Sequence, residues 1–368
     1  MKTKIFFSLV LFLFIYTSCK KESKKSSITN PTDQEFQIKT ENLSEARYNI
    51  GAAAAGNKVL FAGGEATGYH ISSTVDIYDV STDTWTTAQL SQSRVVTSSA
   101  AAGNKIVFAG GSLNESETFS DAIDIYDVTS NTWSTAKLSL ARTGMGAAAA
   151  GNKIAFAGGG YAYTVSDIVD LYDVNSNTWT TAHLSQPRVA MGAAGTGNKI
   201  MFAGGTNGPS LTSSVDVYDA STNSWTTSQL SEARYNLAGA AAGNKIVFAG
   251  GNSASTGNNE SKKVDIYDIT TNSWTTAQLS EARQALVAAS AGNKIFFVGG
   301  YVYSNGQYVY SKTIDIYDTQ TNKWSVAQLD VANVAFGIAG AGNKILIGGG
   351  LENNNTFSKA VKIYNISN

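Results

Sequence analysis

Apolar and polar positions recur along the chain in one repeated unit of four short segments. The first segment is small and bland, as in YNIGAAAAG at 48–56, and the second is apolar, as in KIVFAGG at 105–111. The third reads VDIYDV at 75–80, and the fourth begins with tryptophan, as in WTTAQL at 85–90. Short apolar runs separated by Gly and Asn turns are typical of antiparallel strands. Each unit is therefore predicted to form a four-stranded antiparallel meander.

The unit occurs seven times at a nearly constant period. Its Gly-Asn-Lys turns are spaced 46 to 50 residues apart and begin at Gly56, Gly103, Gly151, Gly197, Gly243, Gly292 and Gly342. A period of this length is typical of a propeller, in which each repeat is one sheet. Sheets that are apolar on both faces bury them by stacking radially around an axis. The Ala- and Gly-rich first segments should lie nearest that axis, where the sheets converge.

The seventh copy ends before any tryptophan segment, and a matching segment lies near the other end of the chain. Ile38, Leu43 and Arg47 keep the spacing that Trp, Leu and Arg have in the complete copies. We therefore expect IKTENL, at 38–43, to form the fourth strand of the seventh sheet, with Ile38 in the place of tryptophan. The prediction is an all-β fold over residues 35–368, a single seven-bladed propeller whose ring is closed by the N-terminal strand.

The order of motifs in the repeat resembles a known family. Gly-Gly is followed by Asp-x-Tyr-Asp, then by Trp, and then by Arg before the next first strand, over residues 38–368. This pattern resembles the kelch repeat. The resemblance implies a β-propeller of four-stranded antiparallel blades. It also implies that arginines at this position, and residues of the neighbouring loops, are candidates for binding acidic partners.

Charge and cysteine content exclude some classes of protein. The 368 residues carry a formal net charge of −1, with 43% apolar and 15% charged residues. This balance indicates a packed β-protein and lacks the basic excess that nucleic-acid binding requires. The chain contains one cysteine, so an internal disulfide is excluded.

The N-terminus resembles a bacterial lipoprotein signal. Lys2 and Lys4 precede an apolar run at 5–16, and the single cysteine, Cys19, lies at the expected cleavage site. We expect residues 1–18 to be a signal peptide and residues 19–34 to be a flexible tether that is lipid-anchored at Cys19. The expected location is a bacterial envelope, at the outer membrane or the periplasmic face. The alternative is an ordinary secretory signal with an incidental cysteine.

One rim of the predicted propeller carries the candidate binding residues. The loop between the second and third strands differs from copy to copy, and it should share this rim with the link between blades. Six arginines stand in these links: Arg47, Arg94, Arg142, Arg188, Arg234 and Arg283. Blade 7 has Asn333 instead. A ring of guanidinium groups at the channel mouth would favour a carboxylate or phosphate ligand. The alternative is that each arginine binds a backbone carbonyl or a neighbouring acid and is structural.

Tyrosines of the variable loops are the second set of candidates. They are Tyr69, Tyr161, Tyr163, Tyr301, Tyr303, Tyr308 and Tyr310. Tyrosine offers a large rigid surface with a polar tip, which suits the binding of a protein or a glycan. The alternative is that these rings pack on their own blades.

The chain shows no motif that indicates an enzyme or a cofactor. The two histidines, His70 and His183, fall on non-adjacent blades, so we expect no metal site. The most consistent interpretation is a non-enzymatic binding or scaffold module without cofactor. One alternative is a sugar-modifying enzyme similar to the kelch-type sialic-acid mutarotases, with an arginine and Glu115 or Glu65 as its acid–base pair. Another is a structural surface protein without a defined ligand.

Overall fold

The propeller is built from strands and turns. The computed structural model describes residues 36–366 apart from residue 69, residues 114–117, 162–163 and 255–258, and residues 305 and 354. These residues form seven four-stranded antiparallel sheets, which we call blades 1 to 7 in chain order. Within these ranges no helix is long and apolar enough to cross a membrane. The signal peptide and the tether predicted for 1–34, with Cys19, lie outside the described residues.

Each blade contributes one strand to each of four concentric positions. The inner strands are Gly51–Ala55, Ser99–Ala102, Gly146–Ala150, Gly192–Thr196, Ala238–Ala242, Val287–Ala291 and Gly337–Ala341. The second strands are Lys58–Ala62, Lys105–Ala109, Lys153–Ala157, Lys199–Ala203, Lys245–Ala249, Lys294–Val298 and Lys344–Gly348. The third strands are Thr74–Asp79, Ala122–Asp127, Ile168–Asp173, Ser214–Asp219, Lys263–Asp268, Thr313–Asp318 and Ala360–Ile366. The outer strands are Thr84–Gln89, Thr132–Lys137, Thr178–His183, Ser224–Gln229, Ser273–Gln278, Lys323–Gln328 and Phe36–Asn42.

The hydrophobic core lies between neighbouring blades, not inside any one of them. Phe108 and Tyr126 of blade 2 are buried against Leu60 and Ile77 of blade 1, and Trp133 packs at the edge of the same cluster. Small inner-strand residues fit the narrow end of each wedge, and the aromatic residues fill its wide end. The repeated residues of the unit therefore serve mainly to assemble the ring.

The ring closes between the first and last parts of the described chain. Phe36–Asn42 pairs antiparallel with Ala360–Ile366, with Ile38 opposite Tyr364. In blade 1 the equivalent pair is Trp85 opposite Tyr78. Blade 7 also packs against blade 1 through a shared buried cluster. The predicted seven-bladed architecture and the role of Ile38 in the outer strand of blade 7 are confirmed.

Short strands form a second tier on one rim. They are Arg47–Tyr48, Glu65–Ala66, His70–Ile71, Gly160–Tyr161, Thr164–Val165, Tyr301–Ser304, Gln307–Tyr310, Asn333–Val334 and Leu351–Glu352. In this tier the link between blades pairs with the loop between the second and third strands, as Arg47 pairs with Ala66 and Asn333 with Glu352. Isolated bridges make the same connection in the other blades, as at Val95 and Ser112. The arginine links and the variable loops therefore share one rim, as predicted.

Candidate functional site

The six arginines of the shared rim are buried. The exposed fraction is 0% for Arg47, Arg94, Arg142, Arg188, Arg234 and Arg283. Each forms an ion pair with the first aspartate of the Asp-x-Tyr-Asp segment in its own blade. The expectation that these guanidinium groups face the channel mouth is wrong, because the folded blade brings a carboxylate to each of them.

Arg142 illustrates what the pair does. Its Nη2 donates to Asp170 Oδ2 at 2.7 Å, its Nε to the carbonyl of Gly158 at 2.8 Å, and its Nη1 to the carbonyl of Leu140 at 3.0 Å. The other oxygen of Asp170 accepts the backbone N–H of Ser139, which follows the outer strand of blade 2. The pair therefore ties the link between blades 2 and 3 to the strands of blade 3.

Burial disfavours the charged form of these arginines, and the adjacent aspartate favours it. Desolvation lowers the pKa of Arg142, and the adjacent Asp170 carboxylate acts in the opposite direction. A buried charge is tolerated when it is paired and hydrogen-bonded, and removing its partner is costly. The geometry supports the structural alternative for the six arginines and leaves none of them open to a ligand at the channel mouth.

The second aspartate of each Asp-x-Tyr-Asp segment lies at the opposite rim, where it accepts hydrogen bonds from the turns. Asp127 accepts hydrogen bonds from Lys105 Nζ at 2.6 Å and Asn104 Nδ2 at 2.8 Å. It also accepts the turn N–H of Thr129 at 2.8 Å. The repeated aspartates thus hold strands and cap turns, and their recurrence reflects the fold.

The channel itself is lined by small and apolar residues. Near the shared rim its wall includes Met145, Met191, Leu237 and Phe336, around a space of about 250 Å³. Among the described lining residues none is charged. A carboxylate or phosphate ligand would find no ionic partner there, so the candidate recognition surface is the loop rim around the mouth and not the channel wall.

A hairpin of blade 6 carries the exposed tyrosines among the described residues of this rim. Tyr301–Ser304 pairs with Gln307–Tyr310, which places Tyr303 opposite Tyr308 with ring centroids 5.2 Å apart. Tyr303 is 39% exposed and Tyr308 is 46% exposed. Tyr301 and Tyr310 pack edge to face nearer the blade, at 5.4 Å. The hairpin therefore presents an outer aromatic pair on an inner aromatic support.

Neighbouring loops hold the hairpin in place. Gln284 Nε2 donates to the Tyr308 hydroxyl at 3.3 Å and to Glu260 Oε1, in the loop of blade 5, at 3.1 Å. The N–H of Tyr310 donates to Asn353 Oδ1, in the loop of blade 7, at 3.4 Å. Loops of three consecutive blades thus contribute to one surface.

Of the other predicted tyrosines, the structure describes Tyr161 alone. Tyr161 lies in a two-residue strand of blade 3 and is half-buried. Tyr69 and Tyr163 lie outside the described residues. Tyr48 was not among the sequence candidates, yet its hydroxyl donates to Glu65 Oε2 at 2.8 Å and its ring lies 4.8 Å from Phe357. Its place directly after Arg47, in the link that shares the rim, is the signal that could have indicated it.

The glutamates named for the enzyme alternative and the two histidines are the remaining sequence candidates. Glu65 is buried and accepts the Tyr48 hydroxyl, and Glu115 lies outside the described residues. His70 pairs with Glu45 at 2.9 Å and His183 with Asp167 at 3.1 Å, both at exposed positions. Over the described ranges no group of three or more His, Cys, Asp or Glu side chains is arranged to hold a metal ion.

A comparison with protein families identifies the repeat. The model of the KLHDC2/KLHL20/DRC7 Kelch-repeats domain matches residues 49–235 and 190–368, which together span 49–368. The chain belongs to the kelch-repeat family. The kelch assignment agrees with the four-stranded blades, and it supports a protein-interaction role for the propeller. No curated protein matches the chain at a significant level.

Blade 7 departs from the kelch pattern at both positions of the buried ion pair. Asn333 stands in place of the arginine, and Lys362 stands in place of the first aspartate. The sequence indicates the change at Asn333, but the cavity beside it is visible only in the structure. The replacement of both partners in one copy is the signal that could have indicated it.

Proposed function

We propose that this kelch propeller is a non-enzymatic binding module, held at a bacterial envelope, that recognises a protein partner through the tyrosine hairpin of blade 6 and the adjoining loops. The observation that carries the proposal is the exposed pair of Tyr303 and Tyr308 on the rim where the blades differ. Exposed, preorganised tyrosines provide a large contact area with little loss of side-chain entropy on binding. A glycan ligand is the alternative outcome of the tests below.

Site-specific photocrosslinking in the intact chain tests the surface directly. A photoreactive amino acid replaces Tyr308 in one variant and Ser130, an exposed residue of the opposite rim, in the control. We expect a defined crosslinked protein from position 308 that is absent from position 130. The same products from both positions would contradict the proposal. A crosslink to glycan in place of protein would assign the glycan alternative.

Substitution of the aromatic pair tests whether the same rings supply the affinity. We expect Tyr303→Ser together with Tyr308→Ser to weaken binding of the crosslinked partner by tenfold or more, with the unfolding midpoint nearly unchanged, because both rings are exposed. Ser130→Ala is the matched control. Retained binding by the double tyrosine variant would exclude the hairpin as the recognition surface.

The envelope location rests on the N-terminal signal and is tested separately. We propose that Cys19 carries the lipid and that the tether at 19–34 separates the lipid from the propeller. The lone cysteine after a basic start and an apolar run supports this. We expect Cys19→Ser to move the protein from the membrane fraction to the soluble fraction and to abolish metabolic labelling with fatty acid. Unchanged fractionation with no labelling of the natural chain would support an ordinary secretory signal instead.

A further inference from the structure

Blade 7 contains a cavity at the position that an arginine fills in the other six blades. The cavity has a volume of about 60 Å³, and its lining includes Asn333, Gly349, Glu352, Ala360 and Lys362. The shorter Asn333 side chain accounts for the space, because the backbone around it keeps the geometry of the repeat. In the other six blades a guanidinium group occupies this position, and blade 7 does not supply one.

The backbone acceptors of the arginine remain in blade 7. In blade 1, Arg47 Nη1 donates to the carbonyl oxygens of Gly63 at 2.8 Å and Thr74 at 2.6 Å. The equivalent carbonyls of blade 7 belong to Gly349 and Ala360, which both line the cavity. A carbonyl oxygen has two lone pairs, so each can accept a further donor beside its present one.

Asn333 uses its amide nitrogen toward the cavity lining and leaves its amide oxygen unpaired beside it among the described residues. Its Nδ2 donates to the carbonyl of Gly349 at 2.7 Å. Its Oδ1 is buried and has no hydrogen-bond partner within the described residues. This oxygen lies against Gly350, which does not line the cavity, so it is not counted among the acceptors open to a ligand.

The charges around the cavity favour a cation. Lys362 Nζ lies 2.5 Å from Asp330 Oδ2 and 3.0 Å from Thr40 Oγ1, so its charge is already compensated. Glu352, which is half-buried, forms no ion pair among the described residues. The three charged side chains of the lining therefore sum to −1, and the uncompensated charge belongs to Glu352.

We propose that this blade 7 cavity binds the guanidinium group of an arginine side chain from a protein partner. A guanidinium carries five donors in a planar fork, which matches the two backbone carbonyls and the Glu352 carboxylate. An ammonium group carries three donors on one nitrogen and matches fewer of them. The inference rests on the proposed partner-binding role, and it adds an arginine as a required feature of the partner.

The test measures binding of a small probe to the full chain by titration calorimetry and by the shift in unfolding temperature. The probe is N-acetyl-arginine methylamide, compared with the corresponding lysine derivative and with the citrulline derivative, which has the same shape without the charge. We expect saturable binding of the arginine probe, at least tenfold weaker binding of the lysine probe and no binding of citrulline. Equal responses to all three probes, or no saturable response to arginine, would overturn the proposal.

Two variants connect the binding to this cavity. Asn333→Arg fills the space and should abolish binding of the arginine probe. Glu352→Gln keeps the shape, removes the uncompensated charge and should weaken binding about tenfold, because charge-assisted hydrogen bonds are roughly twice as strong as neutral ones. Asp121→Asn, which removes an exposed acid at blade 2, is the matched control and should bind as the natural chain does. If Asn333→Arg fails to fold, Glu352→Gln tests the site on its own. Unchanged binding of the arginine probe by Glu352→Gln would overturn the proposal.

The outcome is separable from that of the hairpin experiments. The probe contains no aromatic group, and Tyr303 and Tyr308 do not line the cavity. Loss of partner binding in the tyrosine variants with intact probe binding would support both proposals. Failure of the probe with retained hairpin crosslinks would contradict the cavity alone.

Discussion

Arg188 Nη2 lies 2.5 Å from Asp216 Oδ2, and the two side chains are 0% and 4% exposed. Asp216 also accepts the backbone N–H of Ser185 at 2.9 Å, at the end of the preceding blade. Within the described residues Arg188 Nε and Nη1 have no hydrogen-bond partner, so this arginine depends on Asp216 more than its counterparts depend on theirs. The pair therefore ties the link between blades 3 and 4 to the third strand of blade 4.

Breaking this pair should destabilise the propeller strongly. We expect Arg188→Met to lower the free energy of unfolding by about 3–5 kcal/mol, because it leaves the Asp216 carboxylate buried and unpaired. Urea unfolding measures the change. Adding Asp216→Leu removes the stranded charge, and the double variant should lose less than the sum of the single variants by about 2 kcal/mol.

An exposed ion pair provides the matched comparison. Lys137 Nζ lies 2.9 Å from Asp121 Oδ2, with both side chains exposed. We expect Lys137→Ala to change the free energy of unfolding by less than about 1 kcal/mol. Additive losses in the double variant at 188 and 216 would show that the buried charges are not coupled, contrary to the structural role assigned here.

The period of the repeat explains how much of this fold could be predicted. The spacing of Ile38 to Leu43 and Arg47 predicts the outer strand of blade 7, and in the fold Ile38 lies opposite Tyr364. Spacing fixes strand register in a ring of equal blades, since the same pairing must recur around the axis. The architecture and the shared rim were therefore accessible from the sequence.

The sequence does not predict the direction in which the arginine side chains point. Arg142 and Asp170 are 28 residues apart and meet only because the third strand returns past the link. Spacing predicts which rim a residue lies on, but not whether its charge points to solvent or to a partner. The pairings of the second tier were also missed, since the loops that form them have no repeated pattern. The replacement of both Arg and Asp in blade 7 was the one sequence indication that they belong together.

Completing the repeat at Ile38 should stabilise the ring. Ile38 is 45% exposed, and in blades 1 to 6 a tryptophan at this position packs against the facing tyrosine, as Trp85 does on Tyr78 at 4.9 Å. We expect Ile38→Trp to raise the free energy of unfolding by about 1 kcal/mol through an aromatic pair with Tyr364. Thr40→Trp, on the same face of the strand but opposite Lys362, is the control and should give no such gain. Equal effects of both substitutions in urea unfolding would mean that strand 36–42 does not take the register described.

Two glycines with similar backbone angles separate conformational strain from crowding. Gly158 has φ +63°, and a Cβ there would lie 2.4 Å from the Arg188 carbonyl oxygen and 2.4 Å from Met191 Cε. Gly292 has φ +56° and nothing within 4 Å of the same position. We expect Gly292→Ala to cost about 1–2 kcal/mol for the left-handed conformation alone. Gly158→Ala should cost about 1–3 kcal/mol more, because the blade must move away from the added methyl group. Similar losses in thermal unfolding would contradict the close approach of blade 4 to Gly158.

The carboxylates of the opposite rim should make stability depend on pH in acid. The hydrogen bond from Lys105 lowers the pKa of Asp127 to about 2, with help from the N–H groups of Ser130 and Thr129 and against a smaller effect of burial. An unfolded aspartate has a pKa of about 3.9, so the folded state binds this proton less readily than the unfolded state does. The stabilisation is therefore fully present above about pH 4 and is lost as the pH falls towards about 2.

Asp127→Asn tests this contribution at one blade. The side chain is only partly buried, so we expect the variant to be about 1 kcal/mol less stable than the natural chain at pH 7. That difference should shrink as the pH falls from about 4 to about 2, where the natural carboxylate becomes protonated as well. Urea unfolding at a series of pH values measures it, and Asp121→Asn, at an exposed acid of the same blade, is the control. A difference that stays constant across this range would mean that Asp127 acts through its shape and hydrogen bonds and not through its charge.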